Sequence, residues 1–405
     1  MSIKAAIVEK AKKTNEHSID ETIAHDAGIL SGQLQILFEK LFSPNAQKEL
    51  RRFSSAEAAR LLGVTDSYVR HLATQGEGVT SEKTSGGRRT FSLEEVNTIR
   101  HHLGRTKPSY LPGRREGDHL QVIAVTNFKG GSGKTTSSVH LAQYLALRGY
   151  RVLAVDLDPQ ASMSAMLGFQ PEFDVGENET LYGAIRYDGN RRDVSEVVRK
   201  TYFAGLDLIP GNLELHEFEH DTPTALADTS RNENEMFFMR VGNALQSLES
   251  AYDVVVIDCP PTLGFLTLSA LCAATSVLIT VHPQMLDVAS MNQFLAMTSD
   301  LLSVVKAAGG NLQYDWMRYL ITRYEPNDGP QAQIVAFLRS LFGERVLTSM
   351  MVKSTAVSDA GLSKQTIYEA GRDTMHRQTY DRGVESMDSV NGEVDQLIRS
   401  AWSRT

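Results

Sequence analysis

The chain has 405 residues, more than one ordinary domain needs, so at least two domains are expected. Its 41% hydrophobic and 22% charged residues are those of a folded water-soluble protein, no apolar run approaches the roughly 18 residues of a membrane span, and the polar start MSIKAAIVEK is no signal peptide. A formal net charge of −8 excludes a protein that coats nucleic acid with its whole surface, while leaving room for local basic patches.

Residues 1–44 read as a helical extension. Ala27, Leu30, Leu34, Leu37 and Leu41 recur at alternating steps of three and four, which lays one apolar stripe along a helix. Such a stripe packs on its own domain or against a second chain, and the residues leave both open; a dimerisation extension is the reading carried forward.

Residues 45–106 form a compact, mostly helical segment in which FSSAEAARLLGVTDSYVRHLATQG (53–76) fits a helix-turn-helix. Ser54 or Ser55 caps a helix whose Ala58, Ala59 and Leu62 pack inward. Gly63 permits the tight turn, Val64 packs beneath it, and Thr65 or Asp66 caps a second helix. That helix presents Ser67, Tyr68, Arg70 and His71 to a DNA major groove. In TSGGRRTFSLEEV (84–96), Gly86 and Gly87 followed by Arg88 and Arg89 resemble the wing of MerR-like domains, where a tight hairpin carries arginines to DNA phosphates. Phe91 would anchor that wing in the core. The alternative is a helical hairpin used only for oligomerisation, but paired arginines at a glycine turn have no obvious packing role.

Residues 107–119 are expected to be a linker, punctuated by Pro108, Pro112 and Gly113. From Arg100 to Arg115 the chain carries Arg100, Arg105, Lys107, Arg114 and Arg115 with no acidic residue. A solvated linker and a DNA-phosphate contact both fit.

From residue 120 to 405 the pattern changes to short apolar runs separated by amphipathic stretches. Gln121–Thr126, 151–155, Leu206–Ile209, 254–257 and 277–281 read as buried strands, with 319–322 as a further candidate, and 136–148 reads as a helix. This alternation predicts an α/β fold, a mostly parallel P-loop sheet with helices on both faces, beside the all-α or winged N-terminal domain.

Strand QVIAVTNF runs into KGGSGKTT (129–136) and then into a helix. Gly130, Gly131 and Gly133, with Ser132 between them, let successive backbone N–H groups point at phosphate oxygens, and the helix N-terminus adds partial positive charge. Lys134 would reach the β- and γ-phosphates, the Thr135 hydroxyl would bind Mg²⁺, and Thr136 sits in the first turn toward an α-phosphate. Phe128 stands where the general P-loop pattern has glycine. Lys129 directly after it is the second lysine of the deviant Walker A pattern, and on the outer part of the loop it cannot easily fold back on its own nucleotide.

Two further strand ends supply carboxylates. RVLAVDLDPQAS places Asp156 and Asp158, and DVVVIDCPPTLG places Asp258, at the C-terminal edge that parallel strands share. Any one of these could be a turn former; three on one sheet edge point to metal and water chemistry. Asp258 is assigned to a Mg²⁺-bound water, Asp158 to orienting the attacking water and to the metal, and Asp156 to a shell around the metal, the last two roles being exchangeable. Lys129 is the candidate for stabilising charge at the γ-phosphate.

These motifs together resemble the ParA family of partition ATPases, within the deviant Walker group that includes the MinD-like proteins, over residues 120 to about 400. The resemblance implies ATP with Mg²⁺ held between two subunits, with Lys129 reaching across to the partner's phosphates, so that the nucleotide controls homodimerisation. It further implies sequence-independent DNA binding by the ATP dimer and slow hydrolysis to ADP and phosphate, stimulated by a centromere-binding partner of the ParB/RepB type. The adenine preference is likewise implied, in the absence of a guanine-reading Asn-Lys-x-Asp motif. VHPQMLDVASMNQFLAMTSDLL (281–302) is similar to the family's switch and interface region, with Pro283 and Asp287 at recurring positions. Length and the N-terminal extension resemble the RepA group of repABC-type plasmid replicons, large family members whose own DNA-reading domain represses their operon.

The tail EVDQLIRSAWSRT carries both charge signs on its polar face, so no membrane helix of the MinD-like kind is expected and the location is cytoplasmic and nucleoid-associated. Rival readings are a nucleotide-gated transcription regulator without a segregation role, and a P-loop enzyme acting on a small molecule. A reductase of that last kind needs cluster-ligating cysteines. Cys259 and Cys272 lack Gly-rich ligand loops and read as buried reduced thiols.

Overall fold

The computed structural model describes residues 19–41, 48–75, 82–83, 87–228, 235–310, 312–362 and 364–404; Gly86 and the side chains of Leu34, Leu37 and Leu41 lie outside what it describes. The chain divides into two compact units, Met1–Lys48 and Glu49–Thr405. In the first, Ile19–Leu41 is one continuous helix on which Ile23, Ala27 and Leu30 are exposed.

The second unit begins with the helix-turn-helix. Strand β1 (Phe53–Ser54) leads into helix Ser55–Leu62, which starts at a capping box: the Ser54 hydroxyl accepts from the Glu57 N–H and Glu57 accepts from the Ser54 N–H. Ala58, Ala59 and Leu62 are buried as their spacing predicts. Gly63 ends the helix at φ +68°, a left-handed turn that a side chain would resist. Thr65 then opens helix Asp66–Gln75, its carbonyl accepting from the Val69 N–H. Strands β2 (Glu82–Lys83) and β3 (Arg89–Phe91) complete an antiparallel sheet of order β1-β3-β2, with Phe91 fully buried. A second capping box, Ser92 with Glu95, opens helix Leu93–Thr106.

Seven strands follow: β4 (Gln121–Thr126), β5 (Val152–Asp156), β6 (Arg199–Lys200), β7 (Leu206–Ile209), β8 (Val254–Asp258), β9 (Ser276–Val281) and β10 (Trp316–Ile321). Their order is β10-β9-β4-β8-β5-β7-β6, parallel throughout except for the short antiparallel edge β6, which its two-residue length hid from the sequence reading. Strand β10 starts at Trp316, earlier than expected, in register with Ser276 of β9. Alternate residues face two apolar layers. Ile123, Val125, Ala154 and Val256 pack with Leu141, Leu145 and Ile398 on one face; Val122, Ala124, Val155 and Ile257 pack with Val241, Leu245 and Leu271 on the other.

Phe53, Phe91 and Ile99 of the helix-turn-helix belong to the first of these layers, so one apolar core runs from it to the sheet. The basic stretch between them is accordingly not a uniformly solvated linker. Arg100 is 3% exposed. Arg114 donates to the Tyr252 carbonyl at 3.1 Å and pairs with Glu249 at 3.3 Å. Arg404 and Trp402 from the C-terminus clasp the same segment through the carbonyls of Pro112, Gly113 and His119. Burying their aliphatic stems while saturating carbonyls gives these arginines a structural use that composition does not reveal. No described helix is long and apolar enough to cross a membrane.

Candidate functional site

Strand β4 ends at Thr126, and residues 127–133 curl before helix Lys134–Arg148 begins. Gly131 and Gly133 sit at φ +75° and +86°, which glycine adopts freely. The loop is held from outside by its carbonyls and side chains. Thr322 donates to the Ser132 carbonyl at 2.7 Å, Arg323 to the Gly131 carbonyl at 3.1 Å, and Thr280 to the Ser132 hydroxyl at 3.0 Å. Asn127 ties the Lys129 N–H to the Thr280 carbonyl. Among the described residues, the N–H groups of Gly130, Gly131, Ser132 and Gly133 donate to no protein acceptor. Amides left unpaired at a helix N-terminus make an anion site.

Lys134 is buried beneath this ring and donates to the Lys129 carbonyl at 3.1 Å. Burial pulls its ammonium pKa down, while Asp258, Cys259 and Asp158 act the other way. Thr135 and Thr136 lie in the first turn of the helix.

The parallel register sets Asp156 directly beside Asp258. Both are fully buried, and burial, aided by their mutual repulsion, raises Asp156 to about 8; burial raises Asp258 to about 6. Their surroundings differ. Asp156 is saturated: one oxygen accepts from the Ser164 N–H and hydroxyl at 2.8 and 2.7 Å, the other from the Asp158 N–H at 3.2 Å. Asp258 accepts from the Ser138 hydroxyl at 2.9 Å through one oxygen only. Its other oxygen is buried with no hydrogen bond, although the Thr135 hydroxyl stands nearby. A buried carboxylate oxygen without a hydrogen bond, on a residue that Thr135 and Lys134 act on, fits a cation or its bound water. No group of three or more metal-ligating His, Cys, Asp or Glu side chains occurs among the described residues, so phosphates and water would complete the shell. Asp158, half-buried, accepts from the Gln160 N–H at 3.0 Å.

Lys129 points away from the loop. Its ammonium forms an ion pair with one oxygen of Asp287, at the start of helix Met285–Ala307, and the other oxygen pairs with His282 Nδ1 at 2.9 Å. Burial first, then the charges of Arg323 and Lys129, lower the His282 pKa, so the neutral ring donates to Asp287. Thr322, Arg323, His282, Ser138 and Ser164 escaped sequence reasoning, since each lies far along the chain from the motif it supports or carries no pattern of its own. Ser138 carried the one usable signal: it sits one helical turn after Lys134, facing the same way. Arg323 holds φ +52°, a conformation that a non-glycine residue adopts at some cost and that clusters at functional sites.

On helix Asp66–Gln75, Ser67, Tyr68, Arg70 and His71 are all exposed beside the buried Val69, Leu72 and Ala73. Arg70 is ion-paired within the helix to Asp66. Arg88 is exposed. Arg89 is half-exposed, and its guanidinium donates to the Ala73 carbonyl at 2.6 Å, tying the wing to the end of that helix. That bond satisfies an orphan helix-end carbonyl, and Arg89 stays beside Arg88.

A family profile described as an AAA domain matches residues 120–307, and one described as a MerR HTH family regulatory protein matches residues 53–102. A protein from Rhizobium rhizogenes that goes under the name replication protein A is 58% identical over 381 residues, covering 93% of this chain and 94% of its own length. The chromosome partitioning protein ParA of Myxococcus xanthus is 31% identical over 239 residues, 59% of this chain and 77% of ParA. Among solved structures, one titled Partition Protein superposes with a TM-score of 0.60 at 18% identity over 90% of this chain and 98% of its own. An ATP complex of a variant McdA from Cyanothece gives 0.55 at 17% identity over 71% and 98%. These two share the fold.

Proposed function

The chain belongs to the ParA family of partition ATPases and carries an N-terminal helix-turn-helix, and from that premise we propose a nucleotide-driven DNA-segregation switch that also represses its own operon. ATP would bind with its phosphates on the amides of residues 130–133 and on Lys134. The observation that carries this reading is the ring of amides without protein acceptors at Lys134, whose ammonium the buried Asp258 acts on. Thr135, and Asp258 through a bound water, would hold Mg²⁺ with the phosphates, and the ion would supply charge neutralisation there. Thr136 adds a donor toward the α-phosphate.

Lys129 is the residue that links nucleotide to self-association. Released from Asp287, its side chain would reach a partner's phosphates, which makes the homodimer the hydrolytic form. Asp158, the least buried of the three carboxylates, would orient the attacking water, and Asp156, saturated by Ser164, would hold the strand end that places it. The ATP dimer binds DNA without sequence preference, and a centromere-binding protein of the ParB/RepB type accelerates hydrolysis. Ser67, Tyr68, Arg70, His71 and Arg88 read the operator.

Binding to the DNA upstream of the chain's own gene and to random DNA, each with ADP, ATP and no nucleotide, tests the whole scheme. Random DNA should be bound only with ATP, and the upstream segment in a Tyr68-dependent manner. An Asp158→Ala chain should still bind ATP and random DNA while hydrolysis falls roughly 100-fold; hydrolysis at the normal rate would remove Asp158 from its role. If random DNA is never bound and the upstream segment is, the transcription-regulator reading wins.

A further inference from the structure

Arg100 is a buried cation held by no carboxylate among the described residues. One guanidinium nitrogen donates to the carbonyls of Leu61 and Leu147 at 3.0 and 2.9 Å, and another donates to Asn97 Oδ1 at 2.5 Å. Leu61 lies in the last turn of helix Ser55–Leu62 of the DNA reader, and Leu147 in the last turn of helix Lys134–Arg148. Both carbonyls are helix-end acceptors, each at the negative pole of its helix, and one guanidinium serves both. Gly149 leaves the room for it: a Cβ there would meet Arg100 Nη1 at 2.5 Å.

Beside this contact the surface of the junction is open. A cavity of about 710 Å³ lies between the same two modules, lined by Arg60 and Leu61 of the reader, Tyr144 and Arg148 of the phosphate-loop helix, and Tyr380 and Asp388 of the C-terminal helix Arg377–Ala401. Arg60 and Arg148 both act on Asp388 through space, yet among the described residues neither forms an ion pair with it. Arg51 acts on Tyr380 of the C-terminal helix at the cavity wall. Among the described residues, a direct hydrogen bond from the reader to the phosphate-loop helix is made by Arg100 to the Leu147 carbonyl.

We infer that Arg100 is a positioning residue that transmits occupancy of the phosphate loop to the DNA-reading helices. The helix it grips begins at the phosphate site and ends, about 22 Å away at 1.5 Å per residue, under the guanidinium. Phosphates drawn onto the N-terminus shift a rigid rod, and the carbonyl at its far end moves the reader through the fork. An apolar contact alone would slide; the charged hydrogen bond to Leu147, on a guanidinium that Asn97 and Leu61 hold in place within the reader, does not. The inference rests on the nucleotide reading above.

Hydrogen–deuterium exchange on the full chain tests it, with and without a non-hydrolysable ATP analogue and Mg²⁺. In the natural chain the analogue should protect residues 130–133 and also change exchange in Ser55–Leu62 and Asp66–Gln75 by roughly fivefold or more, the usual size of such coupling. In Arg100→Met the loop should still be protected, while the reader's response disappears. Arg100→Lys keeps the charge and loses the fork, so its reader should respond weakly; it also serves if the Met variant does not fold. A full reader response in either variant overturns the inference, as does a natural chain whose loop is protected and whose reader is unmoved. Failure of the analogue to protect residues 130–133 overturns the nucleotide reading instead.

Discussion

Lys134 and Lys129 are two ammonium groups five residues apart with opposite environments. Lys134 is buried beneath the amide ring and its pKa is depressed by that burial, so phosphates are the counter-charge that would restore it. Charged hydrogen bonds contribute about 1.5–3 kcal/mol each, and Lys134→Ala should weaken ATP binding by roughly 100-fold or more in a calorimetric titration. Lys129 is 40% exposed and already has a partner in Asp287. With the Lys129 end in solvent, screening leaves the pair worth on the order of 1 kcal/mol although Asp287 is buried. Replacing Asp287 with Asn should therefore free Lys129 and tighten ATP-dependent self-association roughly three- to fivefold, read by sedimentation, whereas Lys129→Ala should abolish it with ATP affinity kept. Weaker association of the Asp287→Asn chain would mean that the carboxylate is needed in the dimer.

At the scale of one element, helix Lys134–Arg148 shows what a sequence reveals and what it conceals. Its start was legible from glycines and lysines, and the strands beside it from apolar runs, because close backbone approach and two-sided burial restrict residue choice locally. Its support was not. Thr322 and Arg323, which fix the loop, lie some 190 residues away in sequence, a separation that no local pattern encodes. The bond from Arg89 to the Ala73 carbonyl was equally invisible, its acceptor being the end of another helix. His140 was silent too. It is fully buried, donates from Nδ1 to the Thr136 carbonyl at 2.7 Å, and accepts at Nε2 from the Ile367 N–H. Burial lowers its pKa to about 4, so the folded chain keeps it neutral while the unfolded chain protonates near 6.5. Stability from this neutral ring is complete above pH 6.5 and drains away as pH falls toward 4. At about 1.4 kcal/mol per pH unit the loss is roughly 3 kcal/mol. Urea unfolding of the natural chain and of His140→Met at pH 6.5 and 4.5 should show a steeper decline in the natural chain; parallel declines would exclude the histidine as the cause.

For the whole molecule, the basic stretch from Arg100 to Arg115 left a solvated linker and a DNA-phosphate contact both open in the sequence, and the structure describes an apolar core that runs from the reader to the sheet. Composition could not distinguish these, because Arg100 and Arg114 look like any surface cations until their carbonyl partners are known. The difference decides how the two DNA activities can be separated. A chain lacking residues 1–110 would lose Phe53, Phe91, Ile99 and Leu103 from the layer that covers Leu145 and Ile398, and would leave the Leu147 carbonyl without Arg100. Such a truncation should melt well below the full chain and lose nucleotide affinity for structural reasons. The exposed substitutions Tyr68→Ala and Arg88→Ala touch no core, so together they should leave the melting temperature within about 2 °C, since surface changes rarely exceed 0.5 kcal/mol. They should remove binding to the upstream segment while ATP-dependent binding to random DNA persists. A truncated chain that melts with the full-length midpoint and keeps its ATP affinity would show that the reader and the ATPase share atoms in contact but no stability.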